Sequence, residues 1–499
     1  MTERLTDSAA PPQAPASAAG SSQSGTIDHT ARNSRVIWLL LAATFVVILN
    51  ETIMSVAIRE LMVDLHIEAR DAQWLTTAFM LTMAVVIPIT GFLLQRFETR
   101  PIFIAAMSLF SAGTLLAALS PGFGLLVVAR VVQASGTAIM LPLLMTTIMT
   151  LVPAASRGRT MGNVSIVISV APAIGPTISG IILNTLTWRW MFWLVLPIAL
   201  VMLVIGIRRV ENVSEPKLVP IDVLSVVLSA FGFGGLIYGL SQIGATTDGS
   251  ALPMWISLGT GVVALALFIL RQLRLQRGDR ALLDLRTFRS LNFTVAISMM
   301  VASMIALFGT LILLPIYLQE VLHLEPVQTG LLLLPGGLLM GLLAPFVGRL
   351  YDRVGPAPLV IPGSIIVSGV LWGLTMVTDH TPPLFLLAAH LILSLGLALL
   401  FTPLFTSALG AVKPQLYSHA SAIVGTVQQV AGAAGTALFV TIMAAGTAAG
   451  TAGGASLEAA AAGGVRSAFF AGAIISMFAI VGACFLRKAA PEAGAPVGH

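Results

Sequence analysis

Long apolar runs separated by short polar segments dominate the chain. They recur at 36–58, 74–94, 102–121, 125–148, 162–183, 191–207, 222–243, 253–272, 293–318, 328–347, 358–377, 383–406, 420–442 and 467–486. A helix needs about 20 residues to cross a hydrocarbon core of roughly 30 Å, and the runs are of that length. They are continuous rather than alternating, which argues against a transmembrane barrel. The pattern predicts an all-α transmembrane protein of fourteen spans. Residues 1–34 are rich in Ala, Pro, Ser and Gly, lack periodicity, and read as a disordered tail. They hold no short apolar core with a cleavage site, so the first span is expected to serve as its own insertion signal. The Ala/Gly-rich stretch Gly450 to Gly464 reads as a flexible connector between the last two spans.

Composition agrees with this class. Of 499 residues, 57% are hydrophobic and 9% charged, too apolar a balance for a soluble protein. The single cysteine, Cys484, excludes an internal disulfide. Net charge is +5, but the placement of basic residues says more than their sum. With the N-terminus inside, the inner segments hold Arg32, Arg35, Arg96, Arg100, Arg157, Arg159, Arg208, Arg209, Lys217, the arginines from Arg271 to Arg289, Arg349, Arg353, Lys413, Arg487 and Lys488. The outer segments hold Arg59, Arg70, Arg189 and Arg466. This asymmetry predicts that both termini are cytoplasmic, in a multi-pass protein of the cytoplasmic (inner) membrane. The basic linker Arg271 to Arg289 reads as a contact for anionic membrane lipids and a topology signal. Nothing in the pattern suggests a nucleic-acid partner or a metal site.

Two inner segments repeat. Gly91-Phe92-Leu93-Leu94-Gln95-Arg96 follows the second span, and Gly348-Arg349-Leu350-Tyr351-Asp352-Arg353 follows the tenth. Each opens a short turn after the second span of a six-span block. Duplicated six-span halves are the architecture of major facilitator transporters. The expected division is a six-helix bundle at 35–210, two inserted helices with the basic linker at 211–290, a second six-helix bundle at 291–487, and a tail at 488–499. Gly91, Arg96, Gly348, Asp352 and Arg353 are candidate conformational residues.

Chemistry is sparse inside the spans. Glu51, Arg130 and His390 are the ionisable residues away from span ends, and a charge within the bilayer is costly enough to mark a function. Thr44, Glu51 and Ser55 share one helical face; Arg130, Gln133 and Thr137 share another; so do His390, Ser394 and Phe401. In the two-halves reading, spans 1, 4, 9 and 12 line a central cavity, which all three ionisable residues would face. A carboxylate in a low-dielectric cavity can bind a proton near neutral pH. Arg130 keeps its proton and would act electrostatically, as a partner or lure for Glu51. His390 reads equally as a titrating group or as a hydrogen-bonded packing residue. Asn50, Ser55, Gln133, Thr137, Met304, Phe308 and Ser394 are candidate cavity residues. Met54, Met80, Met140, Met299, Met300 and Met304 would give that cavity an adaptable apolar wall. In span 5, Gly175, Pro176 and Gly180 allow close, kinkable contact.

Several motifs resemble one family. Leu49-Asn50-Glu51-Thr52-Ile53-Met54-Ser55-Val56-Ala57 resembles the first-span signature of the fourteen-span drug:proton antiporters of the EmrB/QacA type, closest to their lincomycin-resistance branch. Gln73-Trp74, Ala129-Arg130 with Gln133, Gly136 and Pro142, Gly175-Pro176-Thr177-Ile178-Ser179-Gly180, Trp188-Arg189-Trp190, Leu283-Asp284-Leu285-Arg286 and Pro315-Ile316-Tyr317 resemble later landmarks, from about residue 36 to 486. The resemblance implies the major facilitator fold, ties Arg130 to proton transfer, and makes the Gly175–Gly180 stretch the antiporter motif. Four positions depart from the pattern: Gln95 replaces an acidic residue, Glu98 and Thr99 replace Gly-Arg, and Ala134 replaces Gly. Asn50 also stands where an acidic residue is usual, with Glu51 beside it.

The expected function is a proton-driven antiporter exporting lipophilic, drug-like small molecules by alternating access, a transporter and not an enzyme. The alternative is a proton-coupled exporter of a single endogenous metabolite or self-made antibiotic. The sequence contains no Gly-x4-Gly-Lys-Ser/Thr loop for ATP, so the proton gradient is the expected energy source and no cofactor is called for. A periplasmic partner is not specified by the sequence.

Overall fold

Each apolar run becomes one helix in a computed structural model that describes residues 22–213, 216, 220–243 and 251–487. The first bundle comprises α1 (Ser22–Asp64), α2 (Ala69–Arg96), α3 (Thr99–Ala118), α4 (Phe123–Leu151), α5 (Arg157–Thr185) and α6 (Arg189–Arg209). A hairpin follows, α7 (Val223–Ser241) and α8 (Leu252–Leu275). The second bundle comprises α9 (Leu291–Ile316), α10 (Pro326–Val354), α11 (Ala357–Leu374), α12 (Pro383–Gly410), α13 (Tyr417–Ala452) and α14 (Leu457–Ala483). Among the described residues, 14 helices are long and apolar enough to span a membrane.

Two boundaries differ from the sequence reading. Helix α1 begins at Ser22, inside the stretch read as a tail, and runs on to Asp64; residues 1–21 and the tail 488–499 lie outside the described residues. Gly450 to Gly464 is not a flexible connector, because α13 and α14 continue into it and leave only residues 453–456 between them. Its small residues serve packing. A Cβ on Gly464 would fall 2.3 Å from the Met443 carbonyl oxygen, and one on Gly446 would fall 2.9 Å from the Gly464 Cα. Glycine lets the two backbones touch, and the Ser456 hydroxyl caps α14 by accepting from the Ala459 N–H.

The bundles meet along two seams. One runs between α5 and α10, where Gly337 abuts Ala173, Gly341 abuts Val170 and Gly162 abuts the Ala344 carbonyl. The other runs between α2 and α13, where Gly425 abuts Ile87. The α7–α8 hairpin lies against the second seam. Ile237 of α7 packs with Ala84 of α2 and Ala433 of α13, and Tyr238 stacks on Trp74 at 5.6 Å.

The basic linker after α8 is tied to its own chain. Arg271 donates to both carboxylate oxygens of Asp222 at 2.6 Å each, and those hydrogen bonds hold the Asp222 carboxyl down at about 2. Gln272 is fully buried; it donates to Ser225 and accepts from the Leu282 and Leu283 N–H groups. Arg286 pairs with Asp279 and Asp284. Two of the arginines read as lipid contacts are therefore engaged by carboxylates.

At the opposite end of the first bundle, Asp64 accepts from Trp188 Nε1 and from Arg189 Nη1, each at 2.9 Å. This clamps α1 to α6. In the second bundle the Tyr317 hydroxyl at the end of α9 makes a neutral tie, donating to the Thr378 carbonyl between α11 and α12.

Candidate functional site

Glu51 sits on α1 where that helix crosses α4 and α5. The crossing with α5 is tight, since a Cβ on Gly175 would lie 2.3 Å from Thr52 Oγ1. Thr52 turns its hydroxyl back to the Leu49 carbonyl at 2.9 Å. Neighbours surround Glu51 closely enough to strip most of its hydration, yet it keeps accessible surface. Its charge interacts with that of Arg130, but no ion pair at 4.0 Å or less joins them.

Arg130 is the largest fully buried side chain, 1% exposed. Its guanidinium carbon stands 4.0 Å from the centre of the Phe79 ring on α2, a cation–π contact that partly replaces lost water. Its Nη1 donates to Gln133 Oε1 at 2.6 Å. Gln133, also buried, donates through Nε2 to Thr114 Oγ1 on α3 at 2.8 Å. Thr114 in turn donates to the Phe110 carbonyl at 2.7 Å. Arg130 Nε and Asn50 Oδ1 are both buried without a hydrogen-bond partner. Buried orphans are costly, and here one donor and one acceptor occur on the two helices that carry Arg130 and Glu51.

His390 lies apart from this group. Its ring meets the Leu333 carbonyl at 3.1 Å through Nε2 and covers Gly336, where a Cβ would come within 2.3 Å of the imidazole. Ser394 sits over the same glycine, 2.7 Å from that Cβ position. These residues pack α12 on α10 within the second bundle, which favours the packing reading of His390.

At the end that carries the repeated segments, Asp352 of α10 reaches across to the other bundle. Its carboxylate accepts from the Gly158 N–H at 2.7 Å and the Arg159 N–H at 2.8 Å, at the first turn of α5. Gly348 makes this approach possible, as a Cβ there would fall 2.1 Å from the Gly158 carbonyl. On the second seam Gln95 donates to the Gln415 carbonyl at 3.2 Å, and Gly91 faces His419, with 3.4 Å between its Cβ position and the imidazole Nδ1.

The remaining sequence candidates divide. Thr137 is buried and bonds back to the Gln133 carbonyl. Asn50 is buried beside Glu51, while the Ser55 side chain lies outside those described. Met54, Met140, Met299, Met300 and Met304 are at most 2% exposed, and Phe308 rests against Gly432 of α13. The structure thus puts these side chains in packing rather than along an open apolar wall. Pro176 is exposed, and a Cβ on Gly180 would meet nothing within 4 Å, so Gly175 alone of that stretch makes a close crossing. Arg96 lies near the Phe97 ring, and Arg353 is exposed. Sequence reasoning placed Phe79 in the second-span motif that begins at Gln73-Trp74 without giving it a site role, and missed Thr114 and Gly158. Of the two missed, Gly158 carried a signal, a glycine just before a span, and glycine there has many uses.

The sequence profile of the Major Facilitator Superfamily matches residues 40–436. The lincomycin resistance protein LmrB of Listeria monocytogenes is 42% identical over 459 residues, covering 91% of this chain and 97% of its own. LmrB of Bacillus subtilis is 40% identical over 456 residues, with 90% and 95% covered. A multidrug resistance protein B homolog of Mycobacterium tuberculosis is 29% identical over 413 residues, with 82% and 76% covered. Among solved structures, the human organic anion transporter MFSD10 aligns with a TM-score of 0.61 at 13% identity, over 90% of this chain and 99% of that one. The proton:xylose symporter XylE aligns at 0.59 with 17% identity, over 91% and 97%. These two likenesses show a shared fold.

Proposed function

The chain belongs to the Major Facilitator Superfamily, and we propose that it is a proton-driven antiporter exporting lipophilic, drug-like compounds by alternating access. It is a multi-pass membrane transporter related to lincomycin and multidrug resistance proteins. The observation that carries the proton-coupled reading is Glu51: a deeply enclosed, partly accessible carboxylate within reach of the Arg130 charge but not paired with it. An ionised Glu51 is drawn toward Arg130; a protonated one is not. Protonation therefore changes the energy of any motion that alters the spacing of α1 and α4, which is what coupling requires. Export of lipophilic compounds is supported by the names of the relatives and by the apolar character of the spans.

In this reading both termini are cytoplasmic, and the Asp352 contact with α5 closes the cytoplasmic end. Tags at residues 20 and 495 are then protected in intact cells, and one at 455 is labelled. The deciding experiment uses purified protein in liposomes, with lincomycin and a lipophilic cation as probes. A pH gradient should drive uphill exchange by the wild type and none by Glu51→Gln, which should still bind substrate. Cation binding should weaken as acid neutralises Glu51, with a neutral analogue less affected. Uphill exchange by Glu51→Gln at the wild-type rate would remove the assignment.

A further inference from the structure

Arg130 is held by Gln133, and Gln133 is held by a residue on a different helix. The amide of Gln133 has two ends of opposite polarity: Oε1 accepts and Nε2 donates. Only the orientation with Oε1 toward the guanidinium is attractive; the flipped amide would set two donors against each other. The Thr114 hydroxyl selects the orientation. Its hydrogen is committed to the Phe110 carbonyl at 2.7 Å, so toward Gln133 it presents a lone pair, which only Nε2 satisfies, at 2.8 Å. The backbone is built for this contact. A Cβ on Gly113 would lie 2.4 Å from the Gln133 N, and a Cβ on Gly136 would lie 2.3 Å from the Ala106 carbonyl. The two glycines thus seat α3 against α4, Gly113 directly on Gln133 and Gly136 on the Ala106 turn. All three polar side chains are at most 1% exposed, so bulk water does not compete for the bonds.

We infer that Thr114 is a positioning residue for proton-coupled exchange: it fixes the polarity of the Gln133 amide and through it the place of the Arg130 guanidinium. This rests on the coupling role given above to Glu51 and Arg130. Thr114 touches neither Glu51's proton nor substrate; it acts two hydrogen bonds away.

The test measures uphill exchange against pH in liposomes, with equilibrium binding of the same lipophilic cation on purified protein. Thr114→Val keeps the shape and removes the hydroxyl. Its exchange rate should fall about tenfold, with the pH profile displaced, while binding changes less than about threefold. Thr114→Ser, which keeps the hydroxyl, should restore rate and profile. Should the valine variant fail to fold, Thr114→Ala takes its place, and thermal unfolding of each variant separates misfolding from miscoupling. A wild-type pH profile in a folded variant without the hydroxyl overturns the positioning role, as does failure of folded Thr114→Ser to restore it. Glu51→Gln runs alongside: if it blocks uphill exchange while Thr114→Val does not, only the positioning role falls. If Glu51→Gln itself exchanges uphill, the coupling reading falls and takes this inference with it.

Discussion

The two bundles put different chemistry at matching positions. Counted from the starts of α2 and α10, Phe79 matches Gly336, Gly91 matches Gly348 and Gln95 matches Asp352; counted from α4 and α12, Arg130 matches His390. In the first bundle an arginine lies over a phenylalanine; in the second a histidine lies over a glycine that makes room for it. At the seams the strengths reverse. Asp352 gives a carboxylate to two N–H groups at the first turn of α5, where a helix end favours negative charge. Gln95 gives a neutral amide to a carbonyl. Both seams keep a glycine at the crossing. Backbone approach is thus common to the halves, whereas charge is divided: the first bundle holds two intramembrane residues of opposite charge, Glu51 and Arg130, and the second holds the stronger latch.

The sharpest way to break this division is to replace Glu51 in one bundle and His390 in the other. Glu51→Gln should lower uphill exchange by about 100-fold or more, and His390→Gln by no more than about twofold. Equal losses would mean that coupling is shared between the bundles. The latch comes next. Asp352→Asn should weaken the α5/α10 seam by about 2 kcal/mol, and Gln95→Leu the α2/α13 seam by about 1 kcal/mol. A Ser165→Cys probe, buried at the first seam against Thr402, reads the opening through thiol labelling in a Cys484→Ser background. If Gln95→Leu exposes this probe as much as Asp352→Asn does, the seams are not distinct.

Smaller still is the packing contrast. Gly336→Ala should cost about 1–3 kcal/mol through collision with the His390 ring, seen as a lower melting temperature in detergent. The double variant Gly336→Ala/His390→Ala should recover part of it. The smallest effect is at the far clamps. Hydrogen bonds from Trp188 and then Arg189 lower the Asp64 carboxyl below 3.8. A lowered acid stabilises the fold above its unfolded value and loses that contribution as pH falls through the folded one. Because Asp64 is 50% exposed, Asp64→Asn should cost under about 1 kcal/mol near neutral pH and nothing at strongly acid pH. Tyr317→Phe in the neutral clamp should show no such acid dependence; melting curves at several pH values check both.

Much of this was legible in the sequence because the membrane makes charge rare. Fourteen spans follow from apolar run length, and Glu51 and Arg130 stand out as ionisable residues inside such runs. Thr114 did not stand out. Most intramembrane hydroxyls here, like those of Thr44 and Thr82, simply bond back to their own helix, and nothing local marks those, such as Thr114 and Ser165, that also accept from another helix. The packing of the methionines was hidden for a related reason: apolar residues on a given face look alike whether that face meets a cleft or a neighbouring helix. Gly450 to Gly464 misled because small residues suit both loops and the closest helix crossings, and only the partner backbone decides between them.

The α7–α8 hairpin has a mechanical consequence. Its two helices mesh backbone to backbone: a Cβ on Gly261 would lie 2.6 Å from the Leu236 N, and one on Gly235 would lie 2.9 Å from the Ser257 carbonyl. Toward α2 the fit is looser, with Gly234 no nearer than 3.9 Å to the end of the Val85 side chain. Because α7 touches both α2 and α13, no tilt of one bundle against the other can preserve both contacts. In alternating access as proposed above, the meshed pair would travel as one body, with the shear taken up at the smoother face. In that rocking of the bundles the hairpin would serve as a sliding shoe over that seam.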